Sequence, residues 1–270
     1  MHKTMKTVLL LIGILLSLSV SVPAQNEIEY LYSPDFLAGG ASTVSRQLPQ
    51  ADSLNPALSA GNQRPTLDAS YLALAGLGME AGWGHIANIG ASFPSRVGVF
   101  GAAGRFISSG LSEQNYGTLA DIQLSFAKDL YPDLYIGAGL GFLFGSSWGL
   151  DLDLGFLHLP GDLGPFQNFR WGIAMRGLGK AYDSPMGPIP PNFTPALGVG
   201  FDLIDTEAVN WSFTPDVSFP TFSDMHLVVG TELSLFDTVS LHGACTLDVG
   251  DTINGTAPKI TLSFGVGFKV

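Results

Sequence analysis

Apolar and polar residues alternate with a period of two along most of the chain after residue 65. In residues 260–270 the even positions from Ile260 to Val270 are all apolar, and the odd positions hold Thr, Ser, Gly and Lys. Such alternation is typical of β-strands with one apolar face. The pattern predicts about twelve strands, at residues 66–78, 84–93, 96–108, 118–129, 133–145, 148–156, 169–177, 195–204, 209–217, 227–235, 239–249 and 260–270.

The length of these segments and their polar faces favour a sheet that crosses a membrane. About ten residues is the length that a tilted strand needs to cross a bilayer. The polar faces carry Gly, Ser, Thr and isolated acids, rather than the Lys and Glu of a water-exposed sheet. The sequence therefore predicts an all-β fold, a transmembrane antiparallel β-barrel of about twelve strands, with fourteen as the alternative count. A soluble secreted β-sandwich with the apolar face inward is the competing architecture.

Composition excludes several other classes of protein. The 270 residues are 46% hydrophobic and only 13% charged, with 34 Gly and one Cys. Low charge and abundant Gly exclude a coiled coil, and the high apolar content excludes a disordered chain. A single Cys excludes a disulfide framework. The formal net charge of −11 argues against nucleic acid as a partner, because Lys and Arg bind its phosphates.

Residues 1–24 have the features of a secretory signal peptide. Lys3 and Lys6 precede an apolar run, which ends in a small-residue cleavage pattern at Ala24. An uncleaved membrane anchor is the alternative. Together with the predicted barrel, the signal peptide predicts that the protein lies in the bacterial outer membrane.

Residues 25–65 do not alternate, and they predict a hatch that lodges inside the barrel. The segment is expected to form short turns and helical pieces, and it contains three Gly and many apolar residues. A barrel of about twelve strands encloses a water-filled lumen unless a segment plugs it. A disordered leader is the alternative. The predicted organisation is a signal peptide at 1–24, a hatch at 25–65 and a transmembrane β-barrel at 66–270.

The connections between the predicted strands alternate between short and long. With both termini in the periplasm, the short turns face the periplasm and the longer loops face outward, an arrangement that is typical of outer-membrane barrels. One connection, residues 159–167, is long where a short turn is expected. It predicts either a periplasmic excursion or a strand count that is wrong by one pair.

One motif near the end of the predicted hatch carries a family resemblance. The sequence Ser53-Leu54-Asn55-Pro56-Ala57-Leu58, followed by Arg64-Pro65-Thr66 at the start of a strand, resembles the FadL family of outer-membrane hydrophobic-compound transporters. In that family an Asn-Pro-Ala motif ends an N-terminal hatch inside a fourteen-stranded barrel. The short length and Gly-rich strands are similar to the spirochaete and PorV-like members. The resemblance implies that the hatch motif consists of Asn55, Pro56, Ala57 and Leu58, with Arg64 as a further candidate.

The resemblance implies an outer-membrane transport protein. It implies passive uptake of hydrophobic small molecules, such as long-chain fatty acids, with a hatch that blocks the lumen until a ligand shifts it. The partners would be this ligand and the outer-membrane lipids. The alternative is a structural or partner-binding barrel, an envelope or secretion accessory as in the PorV group, in which the hatch or loops dock an envelope protein.

Charged residues on the polar faces admit two interpretations. They are Asp151, Asp153, Asp202, Asp216, Glu232, Asp248, Arg170, Arg176, His226, His242 and Lys269. They either form an acid-rich lumen that disfavours anions, or pair across strands and stiffen the wall, which we favour. Asp151 and Asp153 alone fall short of the six to eight oxygen ligands that Ca²⁺ takes.

The sequence predicts no enzyme, no cofactor and no metal site. It has no Gly-x-Ser-x-Gly, no His-Glu-x-x-His and no phosphate-binding loop. The histidines are scattered singly and are expected as lumen or interface residues. Interfacial girdle aromatics are expected at Trp148, Trp171, Trp211, Tyr131 and Tyr135.

Overall fold

The computed structural model describes residues 38–40, 42–45, 49–75, 82–110, 117–180, 182–184, 187–189, 193–222, 224–236, 238–249 and 259–268. The predicted signal peptide, the first part of the predicted hatch (residues 25–37) and Lys269 lie outside these residues.

Fourteen strands and three short 3-10 helices make up the described chain. The 3-10 helices are Pro49–Ser53, Pro56–Gly61 and Pro220–Phe222. The strands are β1 (Thr66–Ala75), β2 (Trp83–Pro94), β3 (Val99–Ser109), β4 (Gly117–Tyr131), β5 (Leu134–Phe144), β6 (Trp148–Leu163), β7 (Phe166–Lys180), β8 (Tyr182–Ser184), β9 (Gly187–Ile189), β10 (Thr194–Asp205), β11 (Val209–Ser218), β12 (His226–Leu235), β13 (Val239–Asp248) and β14 (Lys259–Phe268). Among the described residues, no helix is long and apolar enough to span a membrane.

Twelve of the strands form one antiparallel sheet. Its order is β1 to β7 followed by β10 to β14, and β8 and β9 form a separate hairpin within the connection between β7 and β10. Each strand of the sheet therefore pairs with its neighbours along the sequence, as hairpins repeated around a wall. The predicted all-β fold with twelve antiparallel strands is confirmed.

The prediction of a long connection at residues 159–167 is wrong. β6 continues to Leu163 and β7 begins at Phe166, so that a turn of two residues joins them. The pairing continues with Gly161 opposite Phe169, but its register shifts on both sides of Gly161. Such bulges break the period-two alternation without ending the strand pairing. The alternation therefore does not indicate the parts of β6 and β7 next to the turn. The strand count needs no extra pair.

Most apolar side chains of the sheet lie on its surface and most polar side chains lie on the other face, which also holds a small buried apolar cluster. On the exposed face Ile89 is 56% accessible, Leu124 49% and Phe264 61%. The residues next to them in sequence, such as Asn88 and Gln123, are buried. This arrangement is the inverse of a soluble sheet, in which apolar side chains face inward.

Aromatic side chains lie on the exposed face near both ends of the strands. Trp83 and Trp148 are exposed at the end with the longer connections, and Tyr131 and Trp211 at the end with the short turns. Lys128 is also exposed on the outward face near the short turns. Aromatic and basic residues at these positions are typical of the two edges of an apolar membrane band.

The sheet curls around the N-terminal segment, which we define as the described residues between 38 and 65. Eleven spacings of about 4.8 Å would separate β1 and β14 by roughly 50 Å in a flat sheet. The first 3-10 helix nevertheless packs against β1, β2 and β3, while Ala38 contacts Gly265 of β14. The segment therefore occupies the inside of a strongly curved wall.

Candidate functional site

Asn55 begins the second 3-10 helix, Pro56–Gly61, and caps its first turn. Its backbone is extended, with φ −156° and ψ 107°, and its Oδ1 accepts a hydrogen bond from the Ala57 N–H at 3.0 Å. Pro56 occupies the first helical position, where an N–H would have no partner within the helix, and its ring keeps Asn55 extended. The Asn-Pro-Ala sequence thus fixes where this helix starts.

The amide nitrogen of Asn55 joins the helix to the rest of the segment and to the wall. It donates to Thr43 O at 2.8 Å and to Phe156 O of β6 at 3.1 Å. Asn55 has no accessible surface, and a buried polar group without a partner costs about 1–3 kcal/mol. One side chain therefore satisfies three backbone groups, of which one belongs to the sheet.

Glycine residues on the inner face of the sheet make room for the segment. A Cβ atom on Gly155 of β6 would overlap Asn55 Oδ1 and lie 2.8 Å from Ala57 N. The same close approach occurs on five other strands, at Gly101, Gly137, Gly198, Gly230 and Gly265. Any larger residue at these positions would push the segment away from the wall. This close approach explains the glycine residues at these six positions of the inner face.

Asp216 of β11 holds the part of the segment that precedes the helices. Its Oδ2 accepts hydrogen bonds from Thr43 N at 2.8 Å, from Thr43 Oγ1 at 2.8 Å and from Ser42 Oγ at 3.1 Å. All three residues are buried. Hydrogen bonds to a carboxylate are stronger than those between neutral groups, so Asp216 is a firm anchor for residues 42–45.

Asp52, in the first 3-10 helix, contacts another part of the wall. Its Oδ2 accepts a hydrogen bond from Ser125 Oγ of β4. Burial raises the pKa of Asp52 to about 7, although hydrogen bonds with Ser125 and Ser59 oppose this shift. Part of the Asp52 population is therefore protonated at neutral pH, which reduces the cost of burying this carboxyl group.

The other residues of the predicted hatch motif lie in two places. Ala57 and Leu58 are buried in an apolar cluster, which also contains Val44, Ala51, Leu54, Leu157 and Val228. Arg64 is exposed, just before β1 begins. The structure thus brings four of the five predicted residues together inside the sheet and leaves Arg64 apart.

Charged and amide side chains fill the space between the segment and the end with the longer connections. Arg105 Nη2 lies 2.7 Å from Asp121 Oδ2, and Gln123 donates to Asp153 at 3.0 Å. The cavity that the described residues leave between these groups and Ser53 has a volume of about 20 Å³. Because one water molecule needs about 10–15 Å³, this cavity has room for roughly one water.

A larger cavity lies on the other side of the segment, towards the short turns. Its volume is about 400 Å³, and its walls are mostly apolar, with Val44, Leu58, Leu157, Leu159, Phe169 and the single cation Arg170. Arg170 Nε donates to Val44 O at 3.2 Å, and its Nη1 lies 3.6 Å from Asp202 Oδ1. The cavity therefore combines an apolar body with one guanidinium group at its edge.

An acidic cavity of about 410 Å³ adjoins Arg170 on its other side. Asp202, Asp205, Glu207 and Glu232 line it. Asn168 donates to both aspartates at 2.8 Å, so its amide partly compensates their mutual repulsion. This end of the molecule thus carries a strongly negative concave surface next to the apolar cavity.

The charged residues predicted from the sequence divide between two roles. Asp202 pairs with Asn168 on the neighbouring strand, as the structural interpretation predicts, and Asp153 pairs with Gln123, which lies two strands away on β4. Asp216 instead binds the N-terminal segment, a contact that no pattern in the sequence indicates. The pair of Arg105 and Asp121 was missed because β3, which carries Arg105, is rich in Gly and Ala and alternates poorly.

Comparisons with known proteins add a resemblance of overall shape. No protein-family model matches the chain, and no curated protein is significantly similar to it. A solved structure of the NanC porin, in a rhombohedral crystal form, aligns with 76% of this chain and 99% of its own, at 8% identity and a TM-score of 0.44. A similarity this low carries no argument about the site.

Proposed function

We propose that this protein is a plugged outer-membrane barrel that takes up hydrophobic small molecules, such as long-chain fatty acids. The observation that carries the proposal is the N-terminal segment inside a sheet whose outward face is apolar. An outward apolar face suits a lipid environment, and a segment inside the wall suits a gated passage rather than an open pore. The short-turn end then faces the periplasm.

The cavity beside Leu58 supports the choice of substrate class. Its volume of about 400 Å³ lies within the usual range of about 300–1,000 Å³ for small-molecule sites. An aliphatic chain would contact Leu58, Leu157 and Phe169, while Arg170 at the edge suits a carboxylate. The acidic side chains elsewhere on the inner face disfavour a free anion along the lumen, so the proposed exit is through a gap in the wall.

Binding of a matched pair of ligands tests this proposal. Purified protein in detergent is titrated with oleate and with oleyl alcohol, which share the chain but differ in charge. We expect both to bind, Leu157→Trp to weaken both because it fills the cavity, and Arg170→Gln to weaken oleate alone. Leu241→Trp, on the outward face, is the control for a bulky substitution. The proposal would be contradicted if the parent protein bound neither ligand, or if Leu157→Trp bound both ligands as tightly as the parent protein.

The acidic cavity favours a second candidate, a barrel that docks an envelope protein at its short-turn end. Asp202, Asp205 and Glu207 form a negative concave surface that suits a basic segment of a partner. Purification from membranes in mild detergent distinguishes the candidates. A stable stoichiometric partner that is lost at high salt, and lost in Asp205→Asn with Glu207→Gln, would favour docking over uptake.

A further inference from the structure

The end of the sheet with the longer connections holds a cluster of a different chemical kind. Asp224 lies in the connection between β11 and β12, His226 begins β12 and Asp248 ends β13. One ligand atom from each of these residues lies within 4.8 Å of the others. We propose that Asp224, His226 and Asp248 form a binding site for a divalent transition-metal ion, with Zn²⁺ as the probe.

The distances between the ligand atoms fit a small coordination sphere. His226 Nε2 lies 3.1 Å from Asp224 Oδ2 and 3.8 Å from Asp248 Oδ2. Zinc bonds to imidazole nitrogen and carboxylate oxygen are about 2.0–2.2 Å long, which makes the edge of a tetrahedron about 3.3–3.6 Å. The two measured distances differ from this edge by a few tenths of an ångström, and the two carboxylate oxygens lie within 4.8 Å of each other.

The backbone already holds the three residues in register. His226 and Asp248 lie directly opposite each other on β12 and β13. Val249 N donates to Met225 O at 2.9 Å, which ties the connection to β13. The Met225 N–H donates to Asp224 Oδ1 at 2.7 Å, so that Oδ2 faces His226. Such outer contacts orient metal ligands and raise affinity.

The donor set selects the class of metal. One imidazole and two carboxylates suit Zn²⁺ and related transition metals, whereas Ca²⁺ takes six to eight oxygen ligands. The side chains of His226 and Asp248 are 11% and 15% accessible, so an ion can enter from solvent. A bound ion would join the connection after β11 to the end of β13.

Titration of the full-length protein, purified without a polyhistidine tag, tests the site. We expect one Zn²⁺ per chain by isothermal titration, and Co²⁺ to give the intense visible absorption of a four-coordinate ion. His226→Ala should lose the binding and Asp248→Asn should weaken it at least tenfold. His242→Ala is the matched control, because His242 lies on the same strand as Asp248 but contacts Ser240 and is not part of the cluster. This variant should bind Zn²⁺ like the parent protein.

Two results would overturn the site. One is the absence of stoichiometric Zn²⁺ binding by the parent protein, and the other is unchanged binding in both His226→Ala and Asp248→Asn. Heat-modifiable mobility on gels reports whether each variant is folded, and the Co²⁺ spectrum of the parent needs no variant. The outcome is independent of the ligand titrations at Arg170, which lies at the other end of the sheet.

Discussion

Replacement of Asn55 by Ala should release the N-terminal segment from its best-defined anchor. The substitution removes the cap on Ala57 N and the two bonds to Thr43 O and Phe156 O. Loss of a helix cap costs about 1 kcal/mol, and each buried carbonyl left without its donor costs about 1–3 kcal/mol. The docking free energy of the segment should therefore fall by about 3–7 kcal/mol.

Hydrogen exchange of the amides in residues 54–59 measures this loss directly. Since about 1.4 kcal/mol corresponds to a factor of ten, exchange through local opening should accelerate by about 10²–10⁵-fold. Asn62→Ala is the control: Asn62 lies in the same segment, but its amide donates one bond, to Ser92 Oγ, from a partly exposed position. That change should accelerate exchange by tenfold at most.

Asn55→Asp distinguishes the capping oxygen from the donating nitrogen. Aspartate keeps the acceptor for Ala57 N, but it turns an oxygen towards the carbonyls of Thr43 and Phe156. It should therefore destabilise the segment at least as much as Asn55→Ala at neutral pH. Equal exchange in Asn55→Ala and Asn62→Ala, or parent-like exchange in Asn55→Asp, would refute the argument that Asn55 anchors the segment through its amide.

Two further predictions concern the wall. Gly155→Ala should weaken docking of the segment by about 1–3 kcal/mol through overpacking, measured by the same exchange experiment. Gly104→Ala is the control and should change little, because a Cβ atom on Gly104 would have no other atom within 3.5 Å. Equal effects of Gly155→Ala and Gly104→Ala would argue against close approach of the segment as the reason for glycine at position 155. Leu124→Arg, in the middle of the outward face of β4, should cost about 2–4 kcal/mol in folding into lipid vesicles, and Leu130→Arg near the strand end about 0–1 kcal/mol. No dependence on depth would contradict a lipid-facing band.

The strands could be predicted from the sequence because one alternating pattern encodes both their length and their faces. Where the pattern is broken by bulges, as around Gly161, strand pairing continues although the alternation stops. Where small residues occupy both faces, as in β3, the pattern cannot show which side chains point inward, and the pair of Arg105 with Asp121 was missed.

The site could be predicted only as far as its local motif. Asn55, Pro56 and Ala57 are adjacent, so the cap they form is readable from the sequence. Asp216 and Thr43 are far apart along the chain, and only the curvature of the sheet brings them together. The same holds for Asp224 and Asp248, whose proximity depends on the register between β12 and β13.

Single-channel conductance of a protein lacking the segment tests the central claim, that residues 25–65 close the barrel. Deletion of residues 26–60 leaves the predicted signal peptide and every strand of the sheet in place, so the barrel should still insert. Heat-modifiable mobility on gels is the assay for this insertion. The intact protein should conduct little, because the N-terminal segment occupies the inside of the sheet and the cavity beside Ser53 has a volume of only about 20 Å³. The deleted protein should conduct far more in planar bilayers. Equal conductance of the two inserted proteins would contradict the account and assign residues 25–65 a place outside the conducting path.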